Sequence, residues 1–175
     1  MHKIILHVGH GKTGSSYLQS CLAINSKQLS SNGIHYPYHS SFKEAESGKI
    51  SSGNGSILLN NHNHINKICR DKDTLFSNEN FYFELHRTEK EWFYNFAKKH
   101  AGRLKIILFT RNYFELYFSL WAQNVKRGRM TKDIDTFLKE NKVDFYAFLQ
   151  KWINLSNQYN FELKVLNYSN YKKYN

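Results

Sequence analysis

The segment Gly9-His10-Gly11-Lys12-Thr13-Gly14-Ser15-Ser16 gathers the groups of this 175-residue chain best suited to meet an anion. Its glycines let the backbone approach a charged oxygen closely, and Lys12 adds a full positive charge in the middle of the loop. The Ser15 and Ser16 hydroxyls add donors, as do the free N–H groups of a helix that opens there. The chemistry expected is recognition of phosphate or a close relative of phosphate. Just before the loop, Ile4-Ile5-Leu6-His7-Val8 is mostly apolar and largely β-branched, which predicts a short buried strand. Strand, loop and helix N-terminus therefore follow one another.

Spacing sets this loop apart from a nucleotide-hydrolysing P-loop, G-x-x-x-x-G-K-[ST]. Gly9 and Gly14 keep that separation, but Ser15 follows Gly14 and Lys12 precedes it. A second group of interest follows the clearest strand, Leu104 to Thr110. Arg111 comes at once, and Ser119 lies eight residues beyond it, about two turns into the next helix. A third lies in Ser77-Asn78-Glu79, after a short strand from Asp73. Ligands of parallel sheets collect beyond the carboxyl ends of the strands, so Glu79 is expected on the same rim as the glycine loop.

The loop, in the form G-x-x-K-T-G-[ST]-[ST], resembles the 5′-phosphosulfate loop of sulfotransferases that use 3′-phosphoadenosine 5′-phosphosulfate (PAPS). The R-x7-S formed by Arg111 and Ser119 resembles the 3′-phosphate motif of the same superfamily, with Tyr113 where proline is usual. Ser77-Asn78-Glu79 is similar to the S-x-E after the second core strand of bacterial and glycan-directed members. The resemblance spans nearly the whole chain and implies a P-loop NTPase-like sulfotransferase fold, a three-layer α/β sandwich around a central parallel sheet. It implies PAPS as co-substrate, held by Gly11, Lys12, Thr13, Gly14, Ser15, Ser16, Arg111 and Ser119. Lys12 would neutralise the leaving group and Glu79 would be the catalytic base, with His10 as its rival. The acceptor implied is a hydroxyl or amine of a carbohydrate or glycolipid, with no metal. Tyr36, Tyr38, Phe81 and Tyr82 are candidates to stack on sugar rings. The family usually continues into a distal basic loop over the adenosine, so with Asn175 as the last residue that part is expected to be missing.

Composition bounds the alternatives. A hydrophobic fraction of 41% and an aromatic fraction of 16% support one globular domain over 1–175. A mean hydropathy of −0.64 and the lack of a long apolar run argue against a membrane span. The first strand leaves no room for a signal peptide, and Cys21 and Cys69 lack metal spacing, so a cytoplasmic location and a reduced core Cys21 are expected. His62 and His64 stand two apart, a poor spacing for a metal pair on a helix. The net charge of +11 calls for an anionic partner. The basic residues are dispersed, so a nucleotide donor accounts for the charge and nucleic acid is not expected. Two other readings stay open: a P-loop-type small-molecule kinase, and a non-catalytic basic module for polyanions.

The elements that must position these groups alternate between strand and helix, which predicts a parallel sheet covered on both faces. Helices are expected over 15–30, 56–70, 88–101, 133–140 and 144–158, and in the segment after Arg111. Extended segments are expected at 34–37 and 160–168. Residues 38–56, rich in Ser, Gly and Asn, predict a mobile loop, either a lid over the acceptor or a variable surface insertion.

Overall fold

The computed structural model describes residues 2–9, 12–49, 51–61, 65–69, 71–79, 81, 91–141 and 145–171. One sheet contains β1 (Ile4–Gly9), β2 (Ile34–His35), β3 (Asp73–Asn78), β4 (Leu104–Thr110) and β5 (Glu162–Asn167). Its spatial order is β2-β3-β1-β4-β5, and every neighbouring pair is parallel. The connection leaving β1 winds toward β2, whereas the one leaving β4 winds toward β5. The winding therefore reverses between β1 and β4, and a crevice opens beyond their carboxyl ends, where α/β sheets take their ligands.

Strand β1 is buried along its whole length, as a central strand with both faces covered must be. On one face Ile4, Leu6 and Val8 align with Leu104, Ile106 and Leu108, and Leu6 aligns with Phe76. Helices α4 (Gly55–Asn61), α5 (Ile65–Ile68), α6 (Glu91–Lys99) and α9 (Phe145–Tyr159) cover that face. They supply Leu58, Ile65, Phe93, Phe96, Phe148 and Trp152 to a single apolar cluster. On the other face α1 (Ser15–Ile24), α2 (Ser26–Ser31) and α3 (Phe42–Glu46) pack through Leu18, Leu22, Leu29 and Phe42 against Leu75 of β3. Helices α7 (Tyr113–Lys126) and α8 (Ile134–Glu140) form a third cluster through Leu116, Tyr117 and Phe137. A one-turn helix, α10 (Tyr168–Tyr171), follows β5. The expected α/β sandwich with a parallel central sheet is the fold observed.

Two segments differ from the sequence expectation. The first helix breaks at Asn25, whose side-chain amide donates to the Cys21 carbonyl at 2.8 Å, a local bond that competes with helix continuation. Cys21 itself is only half-buried, whereas Cys69 is in the core. The stretch 38–56, expected as an irregular loop, contains α3 and the start of α4. Asn54 anchors it. Wholly buried, this side chain accepts from the Ser77 backbone N–H (2.7 Å) and donates to the Leu75 carbonyl (2.9 Å). It thereby satisfies the edge of β3 beyond the short β2.

A polar group also lies inside the sheet packing behind the glycine loop. His7 is 2% exposed, its Nδ1 lies 2.8 Å from Ser77 Oγ, and its ring meets Phe109 edge-on. Burial lowers its pKa from 6.5 to about 4, and burial lowers that of His100 likewise to about 4. Between these values the unfolded chain takes up protons that the folded chain does not. Stability should therefore fall as the pH drops from 6.5 to 4, on the order of 1 kcal/mol per unit for each histidine. Melting temperature against pH should show this slope, and His7→Gln should reduce it by about half, His100 keeping the rest. An unchanged slope in that variant would mean that His7 does not stay neutral in the fold.

Candidate functional site

Three chain segments meet at the carboxyl edge of the sheet. The first is the turn from β1 into α1. Gly14 takes a left-handed conformation (φ 75°), and a Cβ there would stand 2.6 Å from the Tyr168 ring, so only glycine fits on both counts. A Cβ on Gly9 would fall 2.1 Å from Ser15 Oγ. The N-terminus of α1 has no side-chain cap and no acidic residue in its first turn, so its positive end is free to attract an anion. Ser15 is 3% exposed and its Oγ has no hydrogen-bond partner among the described residues. Thr13 is equally buried, and Ser16 is half-buried beside it. Gly11 and the rival base His10 lie outside the described residues.

The second segment is the turn from β4 into α7. The Arg111 Nη1 donates to the Lys12 carbonyl at 2.8 Å and to Ser119 Oγ at 3.2 Å. Its Nε donates to Glu115 Oε2 at 3.1 Å, and its guanidinium lies over the Tyr168 ring, 5.8 Å from the centroid. Glu115 also accepts from Ser169 Oγ at 3.2 Å, and that oxygen accepts from the Asn112 backbone N–H. Glu115 is 43% exposed, so the ion pair adds little stability and serves mainly to aim the guanidinium. The two Nη2 hydrogens have no partner among the described residues and leave one edge of the fork for a ligand.

Lys12 itself adopts φ 68°, a left-handed conformation that costs a non-glycine residue roughly 1–2 kcal/mol. The bond from Arg111 to its carbonyl holds it there. Desolvation lowers the Lys12 pKa, with Arg127 and Arg111 acting in the same direction and Glu79 opposing them. Burial raises the pKa of Glu79, and Lys12 opposes that shift. The site thus joins a partly desolvated ammonium, a carboxylate that holds its proton more tightly than usual, and two guanidinium groups. The structure brings together Lys12, Thr13, Gly14, Ser15, Ser16, Arg111 and Ser119, with Glu79 in electrostatic reach of Lys12.

Other expectations are redirected. Tyr36 and Phe81, read as sugar-stacking candidates, are core residues, and Tyr38 is exposed but stacked on Phe42. Tyr82, His62 and His64 lie outside the described residues. Sequence reasoning missed Tyr168, which meets Arg111 from beyond β5, and Glu115, whose i,i+4 spacing to Arg111 was the available signal. Beside the loop, Thr13, Gly14, Tyr17, Leu18, Phe109, Leu166 and Tyr168 enclose a mainly apolar cavity of about 240 Å³. A larger groove of about 720 Å³ between α6 and α9, around Tyr94 and Tyr159, holds none of the motif residues.

Comparison with known proteins adds one finding. No family model and no curated protein matches the sequence. Among solved structures, the chain superposes on a sulfotransferase from Alicyclobacillus acidocaldarius with a TM-score of 0.52. The alignment covers 99% of this chain and 76% of that one, at 10% sequence identity. The fold is that of a sulfotransferase. Likeness at this identity carries topology, while residue roles rest on the site's own geometry.

If Arg111 anchors the loop, Arg111→Ala should accelerate amide hydrogen exchange at Thr13 through Ser16 by about tenfold, the loss of roughly one charge-assisted hydrogen bond. Ser119→Ala should change it far less. Equal protection in wild type and Arg111→Ala would contradict the anchoring role.

Proposed function

We propose that this chain, acting as one domain over 1–175, is a sulfotransferase that moves a sulfuryl group from PAPS to an acceptor hydroxyl or amine. A carbohydrate or glycolipid is the proposed acceptor. The observation that carries this reading is the convergence of two motifs, 99 residues apart, on the Arg111 guanidinium. The residues present suit the donor. The unpartnered Ser15 hydroxyl and the uncapped first turn of α1 suit a 5′-phosphate, and the free edge of Arg111 with Ser119 suits a 3′-phosphate. The apolar cavity at Tyr17 and Tyr168 suits a purine ring.

When bound, the donor supplies an activated sulfuryl group joined to phosphate through an anhydride oxygen. The loop amides and the Ser15 and Ser16 hydroxyls hold the phosphate. Glu79 takes the proton of the acceptor hydroxyl as its oxygen bonds to sulfur. Lys12 meets the charge that grows on the anhydride oxygen as the bond from sulfur to that oxygen breaks. Arg111 and Ser119 fix the 3′-phosphate and so set the reacting centre against Lys12. The kinase alternative fares worse, because β4 ends at Thr110, Arg111 follows, and no carboxylate for magnesium stands at that place.

These roles lead to a defined pH profile. Glu79 must be ionised and its pKa is raised, so activity should rise with pH through a limb above the ordinary carboxylate range. Lys12 must be protonated and its pKa is lowered, so activity should fall through a limb below the ordinary lysine range. The assay is PAPS-dependent release of 3′-phosphoadenosine 5′-phosphate with oligosaccharide acceptors across pH. Glu79→Gln should abolish the acid limb and cost about 10²–10⁴-fold in kcat, and Lys12→Ala should lower kcat with little change in donor binding. Arg111→Ala should lower kcat and donor affinity together, because Arg111 also holds the Lys12 backbone. An acid limb that survives in Glu79→Gln would remove Glu79 from the base role.

A further inference from the structure

Helix α7 turns one face to Leu116, Tyr117 and α8, and its Arg111-proximal face to the candidate site. A third face is uncovered. Phe114 is 70% exposed, Phe118 58% and Val125 41%. With Trp121, which is half-buried and also packs against the Leu116–Tyr117–Phe137 cluster, they follow the i, i+4, i+7, i+11 spacing of a single helical stripe. Phe118 and Trp121 touch through their rings. Two exposed phenylalanines and a valine aligned on one helix face are costly in water and mark an interaction surface.

The sequence then places cations beside that row. Lys126, Arg127 and Arg129 follow directly, and none has an acidic partner among the described residues. The Trp121 indole donates to the Lys132 carbonyl at 2.8 Å, which folds the basic turn back alongside the aromatic stripe. Nearby acids are committed. Glu115 binds Arg111, Glu140 binds Lys132, and Asp133 caps α8 through Thr136. Among the described acids around this turn, Asp135 alone has no contact of that kind to offset the three cations. Aromatic side chains at the rim of a basic cluster, on a chain of net charge +11, are complementary to an anionic lipid interface. No described helix is long and apolar enough to cross a membrane, so the contact would lie in the interface plane.

We propose that the Phe114–Phe118–Trp121–Val125 face of α7, with Lys126, Arg127 and Arg129, docks on an anionic phospholipid surface. Phe114 and Phe118 lie within one turn of Arg111 and Ser119, so docking sets the mouth of the candidate site at the membrane interface. An acceptor carried on a lipid would then be presented to that site. The docking surface does not rest on the donor reading, and its test uses no nucleotide.

The test is co-sedimentation of the full chain with phosphatidylglycerol–phosphatidylcholine vesicles and with pure phosphatidylcholine vesicles. Binding is expected to the anionic vesicles alone. The doubly substituted Phe114→Ser/Phe118→Ser protein should lose about tenfold in partition for each ring. Lys126→Gln/Arg129→Gln should lose about fivefold for each charge. Brominated acyl chains should quench the tryptophan fluorescence of the wild type in part, and Trp121→Phe, which leaves Trp92 and Trp152, should remove that quenching. Failure of the wild type to bind anionic vesicles would overturn the proposal. Undiminished binding by the phenylalanine variant would also overturn it, leaving only charge attraction. A wild-type dimer that Phe114→Ser/Phe118→Ser converts to monomer, with no lipid binding, would assign this face to a second copy instead.

Discussion

Arg111 is the joint on which the site depends. A single guanidinium, 11% exposed at its side chain, bonds to the glycine loop after β1, the serine two turns into α7 and the Glu115 carboxylate, and lies over the tyrosine after β5. Five fixed donors in one plane make this possible, and a lysine could not replace it. The sheet order puts β1, β4 and β5 side by side, so the ends of these strands arrive within reach of one side chain. The constraint works in both directions. Gly14 must be glycine because Tyr168 is held against it, and Tyr168 is in turn the platform on which the guanidinium lies.

The electrostatics follow from that joint. Lys12, Arg111 and Arg127 crowd positive charge around an uncapped helix N-terminus, which is unfavourable until an anion arrives. The same crowding, with desolvation, makes the Lys12 proton easier to lose, while burial makes Glu79 a better base than a solvated carboxylate. Two titrating groups whose surroundings move them toward each other suit a reaction that needs a proton acceptor and a cation together. Behind the loop, neutral His7 and Ser77 fill the interior with a hydrogen-bonded pair, so the strand that carries the loop is packed on both faces.

Much of this was legible in the sequence, for physical reasons. β1 and β4 are dense apolar runs of sheet-central length, and their ends carry Gly9 and Arg111, so strand and site were readable together. The interval from Arg111 to Ser119 fixes two helical turns, which brings the two side chains to 3.2 Å. Tyr168 was not legible, since its contact with Arg111 arises only when β5 lies beside β4, whereas the Glu115 contact is an i,i+4 pair whose spacing the sequence does show. Asn54 looked like any loop asparagine, because its burial depends on the two-residue β2 leaving the β3 edge uncovered. The break at Asn25 reflects one side-chain hydrogen bond, a scale that helical periodicity does not resolve.

The most direct measurement is calorimetric titration with 3′-phosphoadenosine 5′-phosphate and with adenosine 5′-phosphate, using wild type and Arg111→Ala. The account predicts that the 3′-phosphate strengthens binding to the wild type by at least about tenfold, the worth of one or two charge-assisted hydrogen bonds. That gain should vanish in Arg111→Ala. Equal affinities for the two nucleotides in the wild type would contradict the role of Arg111 and Ser119, and with it the donor assigned to this site.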